Sequence, residues 1–168
     1  CTGARAHKLG IPGAGLKGIH YLRSLSDAAE IRDSAKDASN AVVVGGGFVG
    51  LEVAAAFNTL GISTTVLEVG PRLLGRVTAP EVSEFFRGLH ASHGVRVLTN
   101  ARVTAFEGAG RVSHVICSDR SRHPADLVLV GIGAVPCTEL AEGAGLLVRD
   151  GIVIDEGCRT ADHDIVAV

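Results

Sequence analysis

The sequence lacks several features that mark whole classes of protein. No apolar run is long enough to cross a membrane, so the sequence predicts no membrane-spanning helix. The formal net charge is only −2, which gives no reason to expect nucleic acid or an anionic membrane as a partner. No signal peptide and no CxxC pair is present, so reduced thiols in the cytoplasm are expected at the four cysteines, Cys1, Cys117, Cys137 and Cys158.

Methionine is also absent, and the sequence starts at Cys1. Its last residues, 165–168, form an apolar run that predicts a strand. A chain end inside a strand is not typical of a domain boundary. The 168 residues suffice for one core, or for one domain with parts of another. We therefore expect a fragment of a longer protein.

Glycine, in contrast, is abundant and is clustered at one place. The valines at 42–44 run directly into Gly45, Gly46 and Gly47, and an apolar helical pattern follows, which predicts a buried strand, a tight turn and a helix. Gly45, Gly47 and Gly50 match the G-x-G-x-x-G spacing of dinucleotide-binding turns. In that motif the first glycine permits the turn, the second lets a pyrophosphate approach, and the third lets the helix pack closely on the sheet.

A carboxylate at the end of the next strand strengthens this interpretation. The helix over residues 51–60 should end at Gly61, and a strand over residues 64–67 leads to Glu68, near the ~20-residue offset of the ribose-binding acid. An acid there accepts hydrogen bonds from both ribose hydroxyls and repels a 2′-phosphate, which favours NAD over NADP. Arg72 and Arg76 lie close enough in sequence to leave NADP open. The alternative is a plain strand–turn–helix unit with a solvated glutamate.

The flanking segments predict an α/β fold. Strands are expected at 19–22 and 95–98, and a helix at 27–36 begins with a capping box from Asp27 to Glu30. A second helix should start at a Thr78 cap with Pro80 in its first turn. Its stripe of Val82, Phe85, Phe86 and Leu89 predicts burial against the sheet. His90 and His93 favour a solvated pair over a metal site, since no third ligand has suitable spacing.

The periodicity changes after residue 98. Residues 103–106 and 112–116 predict an antiparallel hairpin around glycines, 119–124 a polar loop, and 126–130 a buried central strand. The predicted fold is therefore a Rossmann-like parallel sheet with an inserted three-stranded antiparallel meander. Residues 1–15 favour irregular structure, and a short helix from Thr138 precedes strands at 152–154 and 165–168. These last strands have no place in that sheet and look like parts of a second domain.

Motifs spread over nearly the whole chain resemble one family, the two-dinucleotide flavoprotein reductases. The similarity is to their ferredoxin reductase branch, the putidaredoxin and rubredoxin reductase-like enzymes that serve oxygenases and cytochromes P450. Besides the glycine turn, the motifs that carry the resemblance are Thr2-Gly3-Ala4-Arg5, Tyr21-Leu22-Arg23-Ser24-Leu25, the segment from Arg72 to Pro80, Leu89-His90, His93-Gly94-Val95, Pro124-Ala125-Asp126-Leu127-Val128, Gly131-Ile132-Gly133-Ala134 and Glu139-Leu140-Ala141.

The resemblance implies an NAD-binding domain over residues 13–130, with residues 1–12 and 131–168 as partial segments of an FAD domain. It implies hydride transfer from NADH to FAD, followed by single-electron transfer to a ferredoxin-type iron–sulfur protein. The family's first glycine fingerprint, which holds FAD, would lie before Cys1. The chain by itself is therefore expected to bind NADH but to be inactive.

The resemblance and the glycine motif together predict the cofactor-binding residues. Glu52 would reach toward the nicotinamide end, Arg72 or Arg76 would lie along the adenine or its phosphate, and the glycines after residue 130 would admit the nicotinamide. No residue is expected to act as a catalytic acid, base or nucleophile, and no metal site is expected. The complete set is Gly45, Gly46, Gly47, Phe48, Val49, Gly50, Glu52, Glu68, Arg72, Arg76, Gly131, Ile132 and Gly133.

Two alternatives remain open at this point. The same architecture serves disulfide and nitrite reductases, whose redox cysteines would lie upstream of Cys1. A non-catalytic NAD-sensing module is the other possibility, and it would have no exposed apolar strands at its ends.

Overall fold

A computed structural model describes residues 2–168, which fold as two compact units. The larger unit comprises residues 8–133, and the smaller one combines the N-terminal residues through 7 with residues 134–168. The helices are α1 (Leu25–Ala35), α2 (Phe48–Thr59), α3 (Pro80–Ser92) and α4 (Glu139–Gly143). The strands are β1 (Ala4–Ala6), β2 (Ile19–Tyr21), β3 (Asn40–Val44), β4 (Ser63–Leu67), β5 (Arg96–Leu98), β6 (Val103–Glu107), β7 (His114–Cys117), β8 (Arg122–Pro124), β9 (Leu127–Val130) and β10 (Ala134–Pro136).

The larger unit is built on a five-stranded parallel sheet in the order β2-β9-β3-β4-β5. A separate antiparallel sheet, in the order β6-β7-β8, lies between β5 and β9 in the chain. The predicted Rossmann-like sheet with an inserted three-stranded antiparallel meander is thereby confirmed. None of the helices within residues 2–168 is long and apolar enough to span a bilayer.

The core lies on both faces of the parallel sheet because side chains alternate along each strand. In β3, Ala41 and Val43 belong to the cluster formed with α1, α2 and α3. Val42 and Val44 belong to the opposite cluster, which the antiparallel sheet covers with Phe106 and other residues. This second cluster also receives side chains from residues 9–16, which explains why the larger unit starts before the predicted boundary at residue 13.

The third antiparallel strand forms where the sequence predicts a polar loop. Residues 119–124 were expected to be irregular, but Arg122–Pro124 pair with β7. His123 is buried at the centre of this strand while Arg122 and Pro124 are exposed. One histidine between two exposed residues gives little apolar periodicity, so the loop prediction was wrong.

Two predicted helix caps are also displaced. Ser24, not Asp27, caps α1: its hydroxyl accepts from the Asp27 N–H, and the Asp27 carboxylate accepts from the Ser24 N–H at 2.7 Å. At α3 the N-cap is Ala79, with Pro80 at the first helical position. Thr78 instead directs its hydroxyl to the Leu74 carbonyl oxygen.

Helix α3 buries two polar side chains and leaves most of its apolar stripe exposed, contrary to the prediction. Ser83 and His90 are buried, whereas Val82, Phe85 and Leu89 are exposed, Phe85 by 64%. Of the predicted stripe, only Phe86 packs against the core. The reason is that both polar side chains have partners inside. Ser83 Oγ accepts from Arg72 at 2.8 Å, and a ring nitrogen of His90 lies 3.2 Å from the Leu51 carbonyl oxygen.

The smaller unit contains one strand that the sequence did not indicate and lacks two that it did. Residues Ala4–Ala6, predicted to be irregular, pair antiparallel with β10. The expected strands at 152–154 and 165–168 do not form. Each run takes part in one isolated bridge, which joins Val148 to Ile152 in the first and Arg159 to Val166 in the second. Within the described residues, neither run pairs with a strand over several residues.

Candidate functional site

The candidate residues meet where three adjacent parallel strands end. Val44 at the end of β3 is in register with Leu67 of β4 on one side and with Val130 of β9 on the other. The ladder continues one residue further, since Gly45 N–H donates to Leu67 O and Gly131 N–H donates to Val44 O, both at 2.8 Å. The glycine turn, Glu68 and the segment after β9 therefore share the carboxyl edge of the sheet, where open α/β folds bind ligands.

Gly45 and Gly50 leave no room for a side chain. Gly45 has φ of +109°, and a Cβ there would lie 2.3 Å from Gly131 O. A Cβ on Gly50 would lie 2.1 Å from Gly45 O. The turn and the start of α2 are thus in backbone contact, as expected of the first and third glycines of the motif.

Gly47, in contrast, faces open space. A Cβ built on it would have no atom within 4 Å, and its φ of −84° is accessible to any residue. Gly47 is the N-cap of α2 without a side-chain cap bond, and the first helical bond runs from Leu51 N–H to Gly47 O. The N–H groups of Phe48, Val49 and Gly50 therefore precede the helical bonds and can donate to an anion. Phe48 and Val49 themselves are exposed.

Glu68 is held next to this turn by backbone hydrogen bonds. One carboxylate oxygen accepts from Gly46 N–H at 2.6 Å, and the other accepts from Gly70 N–H at 2.7 Å. Each oxygen of a carboxylate has capacity for a second hydrogen bond. Glu68 is partly exposed, so its fixed carboxylate can still accept from hydroxyl groups of a ligand.

The two candidate arginines differ in their surroundings. Arg72 directs its guanidinium into the protein, where it bonds Gly75 O, Thr78 O and Ser83 Oγ, each at 2.8 Å. Arg76 is exposed, and within residues 2–168 its side chain has neither a hydrogen bond nor an ion pair. Of the two, Arg76 is the cation that is free to contact a ligand.

The remaining candidates lie at the margins of the turn. Glu52 is exposed and is the fifth residue of α2, so it lies just beyond the first helical turn. Gly131 abuts Gly45, as described, while Ile132 packs against the core cluster on the side of the antiparallel sheet. Gly133 has φ of +118° and open space where a side chain would be.

Leu73 and Leu74 contact the glycine turn although nothing in the sequence suggested it. A Cβ on Gly46 would lie 2.4 Å from Leu73 Cδ2, and Leu74 N–H donates to Gly46 O at 2.9 Å. Leu74 has φ of +53°, a left-handed conformation that is rare for a leucine. Because such positions are usually glycine or asparagine, no sequence signal marks this one.

His90 of α3 and His93, its C-cap, do not form a solvated pair. His93 is exposed, but His90 is buried, with its ring nitrogens 3.0 Å from Phe86 O and 3.2 Å from Leu51 O. Among residues 2–168, no three His, Cys, Asp or Glu side chains are grouped so that they could hold a metal ion.

These features combine into a site with a defined chemistry. It offers N–H donors at a helix start without a side-chain cap, open space at Gly47 where any other residue would place a side chain, and the fixed carboxylate of Glu68 beside the turn. Such a set fits a diphosphate joined to a ribose, which every dinucleotide contains.

Comparison with known proteins agrees with this geometry. The family model for pyridine nucleotide-disulphide oxidoreductases matches residues 1–168. The chain is 42% identical over 166 residues to the ferredoxin–NAD(+) reductase component of the biphenyl dioxygenase system of Paraburkholderia xenovorans (strain LB400), covering 99% of this chain and 41% of that protein.

Solved structures give the same result. The ferredoxin reductase of the CYP199A2 system from Rhodopseudomonas palustris superposes with a TM-score of 0.96 at 39% identity, covering all of this chain and 42% of that one. The putidaredoxin reductase in its covalent complex with putidaredoxin gives 0.93 at 43% identity, again with 100% and 42% coverage. The chain thus spans about two fifths of the length of the proteins it matches.

Proposed function

The chain belongs to the pyridine nucleotide-disulphide oxidoreductase family, and from that premise we propose that it is the NADH-binding part of a flavoprotein reductase. This reductase passes electrons from NADH through FAD to a ferredoxin or a similar iron–sulfur protein. Residues 13–130 are the proposed NAD-binding domain. Residues 1–12 and 131–168 are the proposed segments of the FAD domain.

The observation that carries the proposal is the open space at Gly47 beside the fixed carboxylate of Glu68. The pyrophosphate of NADH fits against Gly47, where it accepts hydrogen bonds from the N–H groups of Phe48 and Val49. Gly46 N–H is already bonded to Glu68, so its part is to shape the turn.

The proposed cofactor is NADH and not NADPH, because Glu68 occupies the ribose position. Its two oxygens accept from the ribose hydroxyls and repel a 2′-phosphate. Arg76 is proposed to lie along the adenine or the adenosine phosphate, since its guanidinium has no partner among the described residues. Glu52 and the segment Gly131-Ile132-Gly133 are proposed to face the nicotinamide end.

FAD, held by the remainder of the full-length protein, would supply the hydride acceptor and the single-electron chemistry. The residues of this chain bind the dinucleotide and orient its nicotinamide. The acceptor proposed is a ferredoxin-type protein, because the relatives named above are ferredoxin reductases and one is joined to putidaredoxin.

The first test is a calorimetric titration of the chain with NADH and with NADPH. We expect NADH to bind, NADPH to bind at least about tenfold more weakly, and the purified chain to show no flavin absorption. Equal binding of the two nucleotides would remove Glu68 from the ribose site. Flavin bands in the visible spectrum of the purified chain would contradict the proposal that the FAD-binding glycine fingerprint lies in another part of the protein.

The second test addresses the acceptor in the full-length protein. NADH-dependent reduction of a ferredoxin supports the proposal. NADH-dependent reduction of a small disulfide, with no reduction of ferredoxin, would favour the disulfide reductase alternative. NADH binding without any flavin reduction would favour a non-catalytic sensing module.

A further inference from the structure

Gly46, at the centre of the glycine turn, has three contacts with the segment that follows β4. Its N–H donates to Glu68, its carbonyl oxygen accepts from Leu74 N–H, and its Cα lies against the side chain of Leu73. Leu73 and Leu74 are almost completely buried. The shape of the turn therefore depends on where the backbone of Leu73 and Leu74 is held.

That backbone is in a conformation that it would not adopt unaided. Leu74 has φ of +53°, a left-handed conformation that is strained for a non-glycine residue. A residue stays in such a conformation only when its surroundings impose it. Here Leu74 O accepts from Val77 N–H at 3.0 Å and from Thr78 N–H at 3.1 Å, so the position of residues 75–78 determines that of Leu74.

Residues 75–78 are in turn held by Arg72. Its Nη2 donates to Gly75 O, and its Nη1 donates to both Thr78 O and Ser83 Oγ. The guanidinium thus closes the loop and joins it to α3, where Ser83 is only 3% exposed. A planar group with several donors can bond three acceptors at once, and a lysine ammonium cannot reproduce that geometry.

We propose that Arg72 is a positioning residue of the dinucleotide site and not a ligand of the cofactor. It acts through Leu74 and Leu73 on Gly46, and so keeps the turn in the form that receives the pyrophosphate. Ser83 is the second member of this support. The proposal rests on the proposed function, because it requires that the turn binds a dinucleotide.

The test measures binding of ADP-ribose to the full-length protein by calorimetry, at about 20 and about 300 mM salt. ADP-ribose carries the diphosphate and the ribose but cannot be oxidised or reduced. Arg72→Gln should weaken its binding roughly tenfold, with the same salt dependence as the wild type. Arg76→Gln is the matched control, since loss of a cation that contacts the ligand should reduce the salt dependence.

Ser83→Ala provides a milder variant that removes one acceptor of Arg72. We expect it to weaken binding roughly threefold, and the double variant to bind no more weakly than Arg72→Gln alone, because both act through one network. If Arg72→Gln does not fold, Ser83→Ala decides the question alone.

Several outcomes would overturn the proposal. If the variants have a lower melting temperature but the ADP-ribose affinity of the wild type, Arg72 has a structural role only. If ADP-ribose binding by Arg72→Gln depends less on salt than binding by the wild type, as expected of the Arg76 control, then Arg72 contacts the ligand directly. Failure of the wild type to bind ADP-ribose would instead refute the proposed function. This outcome differs from those that refute only the positioning role of Arg72.

Discussion

Glu68 and Gly46 are joined by a 2.6 Å hydrogen bond across 22 residues of sequence, from the glycine N–H to the carboxylate. The acid proposed to select the nucleotide therefore also fixes the turn that would bind its pyrophosphate. Its second oxygen accepts from the N–H of Gly70 in the loop that follows β4. Specificity and the shape of the turn depend on one side chain, so a change of Glu68 should affect both.

Replacing Glu68 by arginine should consequently have two separate effects. NADH binding should weaken by roughly 1–3 kcal/mol, as for the loss of hydrogen bonds to a charged group. The melting temperature should fall as well, even without nucleotide, because Gly46 and Gly70 lose their acceptor. Calorimetry and thermal unfolding measure the two effects. Glu81→Arg on the exposed surface of α3 is the control, and unchanged NADH affinity in Glu68→Arg would exclude Glu68 from the site.

Alanine substitutions should separate the glycine that binds from the glycine that packs. Gly47→Ala should leave folding nearly unchanged, since its Cβ meets nothing, but should weaken NADH binding at least about tenfold by filling the cradle. Gly45→Ala should instead prevent stable folding, because its Cβ would collide with Gly131 O at a positive φ.

Gly88→Ala in α3 is the matched control for both glycine variants. It also has open space for a Cβ, and it should stabilise the helix by up to about 1 kcal/mol without altering NADH affinity. Wild-type NADH affinity in folded Gly47→Ala would show that the pyrophosphate lies elsewhere.

The two adjacent phenylalanines of α3 should differ in their contribution to stability. Phe86→Ala removes a side chain that packs on the core and should lower the free energy of unfolding by roughly 2–4 kcal/mol. Phe85→Ala removes an exposed ring and should change it by less than about 1 kcal/mol. Urea unfolding of both variants checks this, and equal losses would mean that α3 buries its apolar stripe after all.

Stability should depend on pH through Asp126, which ties β9 to the start of β3. Its partial burial acts to raise the pKa, but hydrogen bonds from the N–H groups of Asn40 and Ser39 outweigh this, and the pKa lies below its usual value. A lowered pKa in the folded state means that the stabilisation is complete above the pKa of the unfolded chain, about 3.9, and is lost as the pH falls through the folded value.

Comparison with Asp126→Asn isolates this contribution. At about pH 7 the wild type should be more stable by roughly 1–2 kcal/mol in urea unfolding. The difference should narrow as the pH is lowered below about 4. If the difference in the free energy of unfolding stays constant over this pH range, it arises from the shape of the side chain and not from its charge.

Local patterns were reliable where a residue type is required by the backbone itself. Gly61 follows the end of α2 with a positive φ, as predicted from a glycine after an apolar helix, and Gly94 does the same after α3. Local patterns were unreliable where partners far away in the sequence determine which side chains are buried. Ser83 and His90 are buried because Arg72 and Leu51 provide their partners, and no periodicity within α3 shows this.

The sequence alone determined the strand, the glycine turn, the helix and the acid after the next strand, because each depends on local backbone geometry and on alternation of apolar residues. Only the tertiary structure decided which face of α3 is buried, that Arg72 points inward, and that Leu74 adopts a left-handed conformation beside Gly46. The physical reason is that hydrogen bonds between residues far apart in the chain offset the loss of apolar burial and the local strain.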